Sequence, residues 1–257
     1  MADWKATELK KPKLNKPILI EGMPGIGNVG KIAADMLVEQ LKAEKIISFF
    51  SYCLPNSVFV KENNMVELPK IELFHKRIGK QDFLFLVGDV QPVNEEDSYK
   101  FAQCVVDTLV KKGCKEIIAL GGIGLQELPA KPKLYCTGNE KTLIDELVKQ
   151  GANNKLYGFV GPIMGITGLL LGLTKDKKIR SAAVLIETAA HPMHIGLREA
   201  KELMSFLDKK YKLGVDIKKL EKDIGKLEQG IKPMMKQQEL LEKEKLKESH
   251  SDTSYIG

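Results

Sequence analysis

The segment GMPGIGNVGK, residues 22–31, has the residue types and spacing of a phosphate-binding loop. Its glycines Gly25, Gly27 and Gly30 fit the dinucleotide-binding pattern G-x-G-x-x-G, and the stretch also fits most of the P-loop pattern, which ends in a lysine. Backbone N–H groups at the start of a helix attract anions. The sequence therefore makes Gly25, Gly27 and Asn28 candidate ligand-binding residues.

Neither phosphate motif is complete. A P-loop needs a serine or threonine after the lysine to ligate magnesium, and this chain has Ile32 there. A dinucleotide site needs an acid about 20 residues further on to bind the ribose hydroxyls, and the next predicted strand, residues 45–51, has none. The alternative is that the glycines allow a tight turn and close packing of helix on strand. We favour this structural role and expect no cofactor.

Other residues that could do chemistry lie at the ends of predicted strands. Asp89 could act as a base and Gly122 lies in a second glycine-rich turn, so both join the candidate ligand-binding set. Glu187, His191 and His194 could ligate a metal, but a proline separates the two histidines and no H-E-x-x-H pattern is present. We therefore expect no metal, no assembled catalytic set and no enzyme activity.

The middle of the chain alternates apolar runs with amphipathic segments, which predicts an α/β fold with a mainly parallel sheet and helices on both faces. A hairpin with Asn63 and Asn64 at its tip is predicted within residues 52–80. In such sheets, ligands bind beyond the carboxyl ends of the strands. The predicted strands cover residues 17–22, 45–51, 82–89, 116–124, 155–161 and 181–188. The first predicted helix begins at residue 31, and four further helices are predicted over residues 98–111, 142–150, 166–173 and 197–210.

Composition limits the class of protein. The chain has 257 residues and a net charge of +6, with lysines and acids interleaved, so we expect no nucleic-acid partner. Its four cysteines show no C-x-x-C spacing, which is typical of reduced thiols in a cytoplasmic protein. The N-terminus lacks the apolar core of a signal peptide, and the longest apolar run, residues 159–173, is too short to cross a membrane.

Both ends of the chain differ in composition and residue pattern from the predicted α/β domain, residues 17–212. We expect residues 1–16 to be a flexible basic arm, 213–248 a helical extension and 249–257 a disordered tail. The extension has apolar residues at heptad spacing, which predicts a seam that packs on the domain or on another subunit. The residues of this seam are Ile217, Leu220, Ile224, Leu227 and Ile231.

Taken together, the chain resembles the proteasome assembly chaperone family in its archaeal branch, over residues 17–212. The stretches that carry the resemblance are GMPGIGNVG, GDVQP, LGGIG, CTGN, GPIMGITGLLLGL and AAVLIETAAHP, in this order. The resemblance implies a fold like that of the purine nucleoside phosphorylases without their catalysis. It also implies a homo-oligomer that binds proteasome α subunits and promotes assembly of the α ring.

Some members of that family dock their C-terminus between α subunits through a hydrophobic-Tyr-any motif. This chain ends Tyr255-Ile256-Gly257, so its tyrosine lies one residue early, a displacement of about 3.3–3.6 Å in extended chain. We expect these three residues to be the partner-binding tip. The alternative to a chaperone is a protein or enzyme that binds a nucleotide or nucleoside in the crevice at the sheet end.

Overall fold

The computed structural model describes residues 4–61, 63–191 and 194–226. The chain divides into two units, Met1–Val215 and Asp216–Gly257. The first unit is an α/β domain on an eight-stranded sheet, with a separate two-stranded sheet formed by its fourth and fifth strands. The strands are β1 (Lys5–Glu8), β2 (Ile18–Gly22), β3 (Glu44–Phe50), β4 (Phe59–Val60), β5 (Val66–Glu67), β6 (Ile71–Ile78), β7 (Gln81–Gly88), β8 (Glu116–Leu125), β9 (Leu134–Gly138) and β10 (Arg180–Ala189).

The large sheet has a parallel centre and antiparallel flanks. Its spatial order is β1-β3-β6-β7-β2-β8-β10-β9. Strands β7, β2, β8 and β10 run parallel, whereas β6, β3 and β1 on one side and β9 on the other pair antiparallel. The central strands are mainly apolar and buried, as expected for strands that helices cover on both faces. The predicted α/β fold class is confirmed.

Within the described part of the chain, five helices cover the sheet. They are α1 (Val29–Gln40), α2 (Glu95–Lys111), α3 (Lys141–Lys149), α4 (Gly165–Leu173) and α5 (Leu197–Tyr211). Helices α1 and α5 pack together on one face, and α2 and α4 pack together on the other. Side chains of α2 and α4 join strand residues such as Leu19 and Ile117 in one buried cluster. This arrangement places the starts of α1, α2 and α4 near the carboxyl ends of the parallel strands.

The strand predicted over residues 155–161 is wrong. This segment turns, with Gly158 at φ +78° and the side chain of Tyr157 fully exposed. The strand that lies at the edge of the sheet beside β10 is β9, which pairs antiparallel with β10. It was missed because it is only five residues long and follows a polar, proline-rich stretch. An edge strand needs no long apolar run, since only one side of it pairs.

The prediction of a flexible arm over residues 1–16 also needs correction. Strand β1 pairs antiparallel with β3 from Lys5, opposite Phe50, to Glu8, opposite Ile47. The ring of Trp4 packs on Phe101 of α2, with the ring centroids 4.3 Å apart. Of the lysines that suggested a solvated arm, Lys5 lies on this exposed edge strand, where basic residues are common because they discourage further strand pairing.

The hairpin predicted within residues 52–80 is present in part. Val60 of β4 lies opposite Val66 of β5, and Asn64 adopts φ +60° at the turn, a conformation that asparagine tolerates well. Strand β6, which was included in the same prediction, belongs instead to the large sheet between β3 and β7. The hairpin is therefore shorter than the segment that suggested it.

The second unit begins with a helix, described over residues 217–226. Asp216 caps it, because its Oδ1 accepts a hydrogen bond of 2.9 Å from the Lys219 N–H. Of the predicted seam, Ile217 is half-buried and Leu220 and Ile224 are buried. Leu227 and Ile231, like the tail at 249–257, lie outside the described residues, so the seam stays a prediction. No helix within the described ranges is long and apolar enough to cross a membrane.

Candidate functional site

A groove of about 1130 Å³ lies at the carboxyl ends of the parallel strands. Its walls come from the loops after β2 and β7, the end of β8, the segment before α4, and α4 itself. These elements meet there because parallel strands all end at the same edge of the sheet. Apolar groups that line it include Met23, Ile26, Val93, Phe159 and Met164.

The groove is apolar and lacks positive charge. Among the described residues that line it there is no lysine, arginine or histidine, and Glu95 is the only charged side chain. Phosphate sites in proteins combine backbone N–H groups with arginine or lysine. The lining therefore suits an uncharged or apolar ligand better than a nucleotide.

The glycine loop is packed against the rest of the domain. A Cβ atom on Gly22 would lie 2.2 Å from the Gly30 carbonyl oxygen, so α1 approaches β2 as closely as glycine allows. Gly27 adopts φ +63°, and a Cβ atom there would lie 2.7 Å from the Thr188 Oγ1. The Gly27 carbonyl accepts a hydrogen bond of 2.9 Å from the Gly196 N–H. These contacts account for glycine at positions 22 and 27 without any ligand, whereas a Cβ atom on Gly25 would meet nothing within 4 Å.

The predicted ligand-binding residues are only partly brought together. Gly25 and Gly122 line the groove, whereas Gly27, Asn28 and Asp89 are not among its lining residues. Asn28 adopts φ +51° at the start of α1. Ligand binding by this set stays a prediction.

Asp89 has a partner within the chain. Its Oδ2 accepts a hydrogen bond of 3.0 Å from the Lys70 N–H, and its own N–H donates to the Lys70 carbonyl at 2.8 Å. Asp89 Oδ1 also lies 3.8 Å from the Lys31 Nζ. The carboxylate therefore ties the base of the β4–β5 hairpin to the end of β7.

Glu21 is a buried carboxyl group next to the groove that sequence reasoning missed. It is fully buried in β2, where Oε1 accepts a hydrogen bond of 2.9 Å from the Met23 N–H and Oε2 accepts one of 3.1 Å from the Thr167 hydroxyl. Burial raises the pKa of Glu21 to about 7, although both hydrogen bonds act to lower it. Thr167 lines the groove, so Glu21 links β2 to the wall formed by α4. The sequence signal was an acid within an apolar strand.

Gln91 joins three walls of the groove. Its Oε1 accepts a hydrogen bond of 3.0 Å from the Ile166 N–H of α4, and its Nε2 donates to the Pro24 carbonyl. Gly165, at the start of α4, adopts φ +73°, a backbone conformation that favours glycine, and a Cβ atom there would lie 2.7 Å from the Gln91 Oε1. Gln91 lies in the GDVQP stretch, but nothing in its sequence context indicates this bridging role.

Two of the residues considered for a metal site, Glu187 and His194, bind different partners. Glu187 accepts hydrogen bonds from the Tyr135 hydroxyl at 3.0 Å and from the Lys133 N–H at 2.8 Å. His194 instead pairs through Nε2 with the buried Glu199, at 2.6 Å. No group of three potential ligands that could hold a metal is found within residues 4–61, 63–191 and 194–226.

The sequence profile of the PAC2 family matches residues 19–235. The chain belongs to the PAC2 family. A relative, the uncharacterized protein MJ1210 of Methanocaldococcus jannaschii, is 30% identical over 246 residues, which cover 95% of this chain and 93% of the relative. The resemblance to the proteasome assembly chaperone family is confirmed.

Solved structures of similar proteins cover nearly the whole chain. The crystal structure of Pyrococcus furiosus PbaB, an archaeal proteasome activator, superposes with a TM-score of 0.82 at 26% identity, covering 91% of this chain and all of PbaB. Pyrococcus furiosus PbaA, an archaeal homologue of proteasome-assembly chaperone, superposes with a TM-score of 0.74 at 23% identity. The match covers 97% of this chain and 99% of PbaA. The second comparison shows a shared fold.

Proposed function

We propose that this PAC2-family chain is a proteasome assembly chaperone that acts as a homo-oligomer in the cytoplasm. It binds proteasome α subunits and promotes assembly of the α ring by binding rather than by catalysis. The observation that carries this proposal is the similarity to the proteasome activator PbaB over 91% of the chain at 26% identity. The apolar groove supports it, since no described lining residue other than Glu95 carries a charge that could do acid–base chemistry.

Capture of α subunits tests this function. The tagged full-length chain would be mixed with proteasome α subunits from the same organism, and bound species would be weighed by native mass spectrometry. We expect retained α subunits and faster formation of α rings than without the chain. A tagged α/β protein of similar size from outside the family serves as the control. Absence of both capture and faster assembly would rule the proposal out.

A second candidate function is binding of a small molecule in the groove. Its mainly apolar lining favours this candidate, since ligand pockets are lined predominantly by hydrophobic side chains, and its volume of about 1130 Å³ lies just above the usual range of about 300–1,000 Å³. The absence of cationic side chains among the described lining residues favours an uncharged nucleoside over a nucleotide. A thermal-shift comparison of adenosine, ATP and NAD decides it. We expect no shift with ATP or NAD, and a shift with adenosine alone would support a nucleoside site.

A further inference from the structure

Strand β8 continues beyond the strand that pairs with it on one side. Its pairing with β2 ends at Ala119, opposite Glu21, whereas its pairing with β10 continues to Leu125, opposite Ala189. The last part of β8, residues 120–125, therefore has a neighbouring strand on one side only, and we call its unpaired side the open edge of β8. An unpaired strand edge presents main-chain N–H and C=O groups to which another chain can pair.

The main-chain polar groups of Gly122 and Gly124 face the open edge. The Leu125 carbonyl accepts a hydrogen bond of 2.8 Å from the Ala190 N–H, so Leu125 faces β10. Successive residues of a strand direct these groups to opposite sides, so Gly122 and Gly124 face away from β10. In the described part of the chain, no loop main-chain group bonds to either glycine. Both glycines are half-buried, and what they expose is main chain.

The open edge of β8 lies within the groove. Residues 120–124 line the groove without interruption. Five of the 18 large hydrophobic residues that are exposed in the described part of the chain also line it, namely Ile26, Val93, Tyr99, Phe159 and Met164. Proteins bind extended peptides by pairing them with an unpaired strand edge and placing alternate side chains in pockets beside it. The groove has both of these features.

The position of the open edge favours a single extended segment over a second copy of the same edge. Strand β8 is an inner strand of the sheet, between β2 and β10, and its open edge is bordered by the loop after β2 and by α4. The same edge of a second copy would be equally recessed, so the two edges could not meet about a two-fold axis. A row of main-chain donors and acceptors also matches a peptide better than a compact nucleoside.

Charge in the groove favours an internal segment with a basic residue at one end. Among the described lining residues there is no lysine, arginine or histidine, which disfavours a segment that ends in a free carboxylate. Glu95 lines the groove and is exposed at the start of α2. A lysine or arginine beside the apolar part of the segment could pair with this carboxylate.

Subunits of a permanent assembly have large apolar interfaces, and these interfaces are exposed until the assembly forms. We propose that the groove binds an extended, mainly apolar internal segment of a proteasome α subunit, flanked by a basic residue, as a strand added to β8. This inference rests on the proposed function for the owner of the segment, and it names the surface that holds it. An α subunit bound in this way keeps an apolar segment out of water until a neighbouring subunit takes it over.

Binding of a model peptide to the full-length chain tests the strand pairing. The probe is the peptide Lys-Val-Tyr-Val-Thr-Val with fluorescein at its N-terminus and an amide at its C-terminus, and fluorescence anisotropy measures its affinity. Two further versions carry N-methyl groups on alternate residues, so each lacks the N–H donors of one side. We expect one version to bind about tenfold more weakly, because it loses its hydrogen bonds to β8, and the other to bind like the parent peptide. Equal affinity of all three, or displacement of all three by adenosine, would overturn the inference.

Variants of the chain test whether the peptide occupies the groove. Gly25 lines the groove, and a Cβ atom there meets nothing within 4 Å, so Gly25→Phe should obstruct the groove while circular dichroism stays that of the original chain. It should weaken peptide binding about tenfold, whereas the matched control Gly25→Ala should bind as before. Glu95→Lys should weaken binding of this peptide and strengthen binding of the peptide with glutamate in place of lysine. If Gly25→Phe misfolds, the N-methylated peptides decide the matter.

Capture of whole α subunits separates this inference from the proposed function. Pull-downs with the original chain, Gly25→Phe and Gly25→Ala would be compared at equal concentration. We expect Gly25→Phe to recover fewer α subunits than the other two proteins. Equal recovery by a folded Gly25→Phe would overturn the inference and leave the proposed function standing. Absence of capture by the original chain would instead contradict the proposed function and the partner named here.

Discussion

Gly30 approaches the main chain of Leu120 so closely that a Cβ atom added to Gly30 would lie 2.4 Å from the Leu120 carbonyl oxygen. Helix α1 can lie against the sheet at this distance only because the third glycine of the loop has no side chain. The dinucleotide-binding pattern and close helix–strand packing use glycine at the same position, so the pattern alone could not separate the two.

We therefore predict that an alanine substitution in the glycine loop lowers the free energy of unfolding most where the added Cβ atom would approach neighbouring atoms most closely. Gly30→Ala should lower the free energy of unfolding by about 1–3 kcal/mol, as other overpacked sites do, and Gly27→Ala by a similar amount because its positive φ disfavours a side chain. Gly25→Ala is the matched control, since a Cβ atom there meets nothing within 4 Å. Urea unfolding of the three variants measures this, and equal stability of all three would contradict it.

Glu21 should make the stability of the domain depend on pH. Its pKa of about 7 in the folded chain lies above the ordinary value of 4.5, so the folded state holds this proton more tightly than the unfolded state. The free energy of unfolding should therefore fall as pH rises from about 4.5 to about 7, by about 3 kcal/mol at most. Glu21→Gln should remove this dependence and stabilise the domain at pH 8, while leaving stability near pH 5 almost unchanged.

Urea unfolding at a series of pH values compares Glu21→Gln with the original chain. Glu95→Gln, which removes an exposed carboxylate at the same groove, controls for the loss of one negative charge. A pH dependence that is the same in all three proteins would show that Glu21 does not titrate in this range.

How far the sequence predicts this fold depends on how each element is buried. Strand β7 and helix α2 have strong apolar periodicity because they pack into the core, and the sequence predicts both. Strand β1 lies exposed at one edge of the sheet, and β9 at the other edge is only five residues long, so both lack that signal. The turn at 155–161 is apolar because Phe159 packs on Tyr135, with ring centroids 5.5 Å apart, and local pattern cannot distinguish this from a buried strand.

The candidate site was less predictable than the fold. Glycine-rich loops correctly indicated where the groove lies, because Gly25 and Gly122 both line it. The polar contacts that shape it join residues far apart in the chain, such as Gln91 with Ile166 and Glu21 with Thr167. Only the three-dimensional arrangement brings these partners together, so spacing along the sequence could not reveal them.

The seam at the start of the C-terminal unit gives a third prediction. Ile224 is only 5% exposed, and an aspartate at this position would place an unpaired charge in an apolar environment. Ile224→Asp should lower the melting temperature or the mass of the oligomer. Lys222→Gln, at an exposed position of the same helix, lowers the net charge by the same one unit and is the control for the charge change. If light scattering and melting temperature are both unchanged in Ile224→Asp, the seam is not buried in solution.

The last prediction concerns the end of the chain, where nine mostly polar residues, 249–257, finish with an aromatic and an aliphatic side chain. The two apolar side chains at the tip can enter a pocket on a partner. One tip alone should bind weakly, because two side chains bury little apolar surface and association itself costs entropy. Several tips on one oligomer raise the effective concentration and compensate for this. Deletion of Tyr255, Ile256 and Gly257 should therefore leave the fold and oligomer intact but reduce capture of α subunits.

Exchange of the two side chains at the tip tests the same idea in the opposite direction. The double substitution Tyr255→Ile with Ile256→Tyr keeps the composition and makes the tyrosine penultimate, as in the family's hydrophobic-Tyr-any motif. If the tip docks in the manner of that motif, the exchanged chain should capture α subunits more strongly than the original, and the deleted chain more weakly than either. The three proteins would be compared in matched pull-downs at equal concentration. Equal recovery from all three would mean that the tail plays no part in binding, and that contact with the α ring is made by the α/β domain.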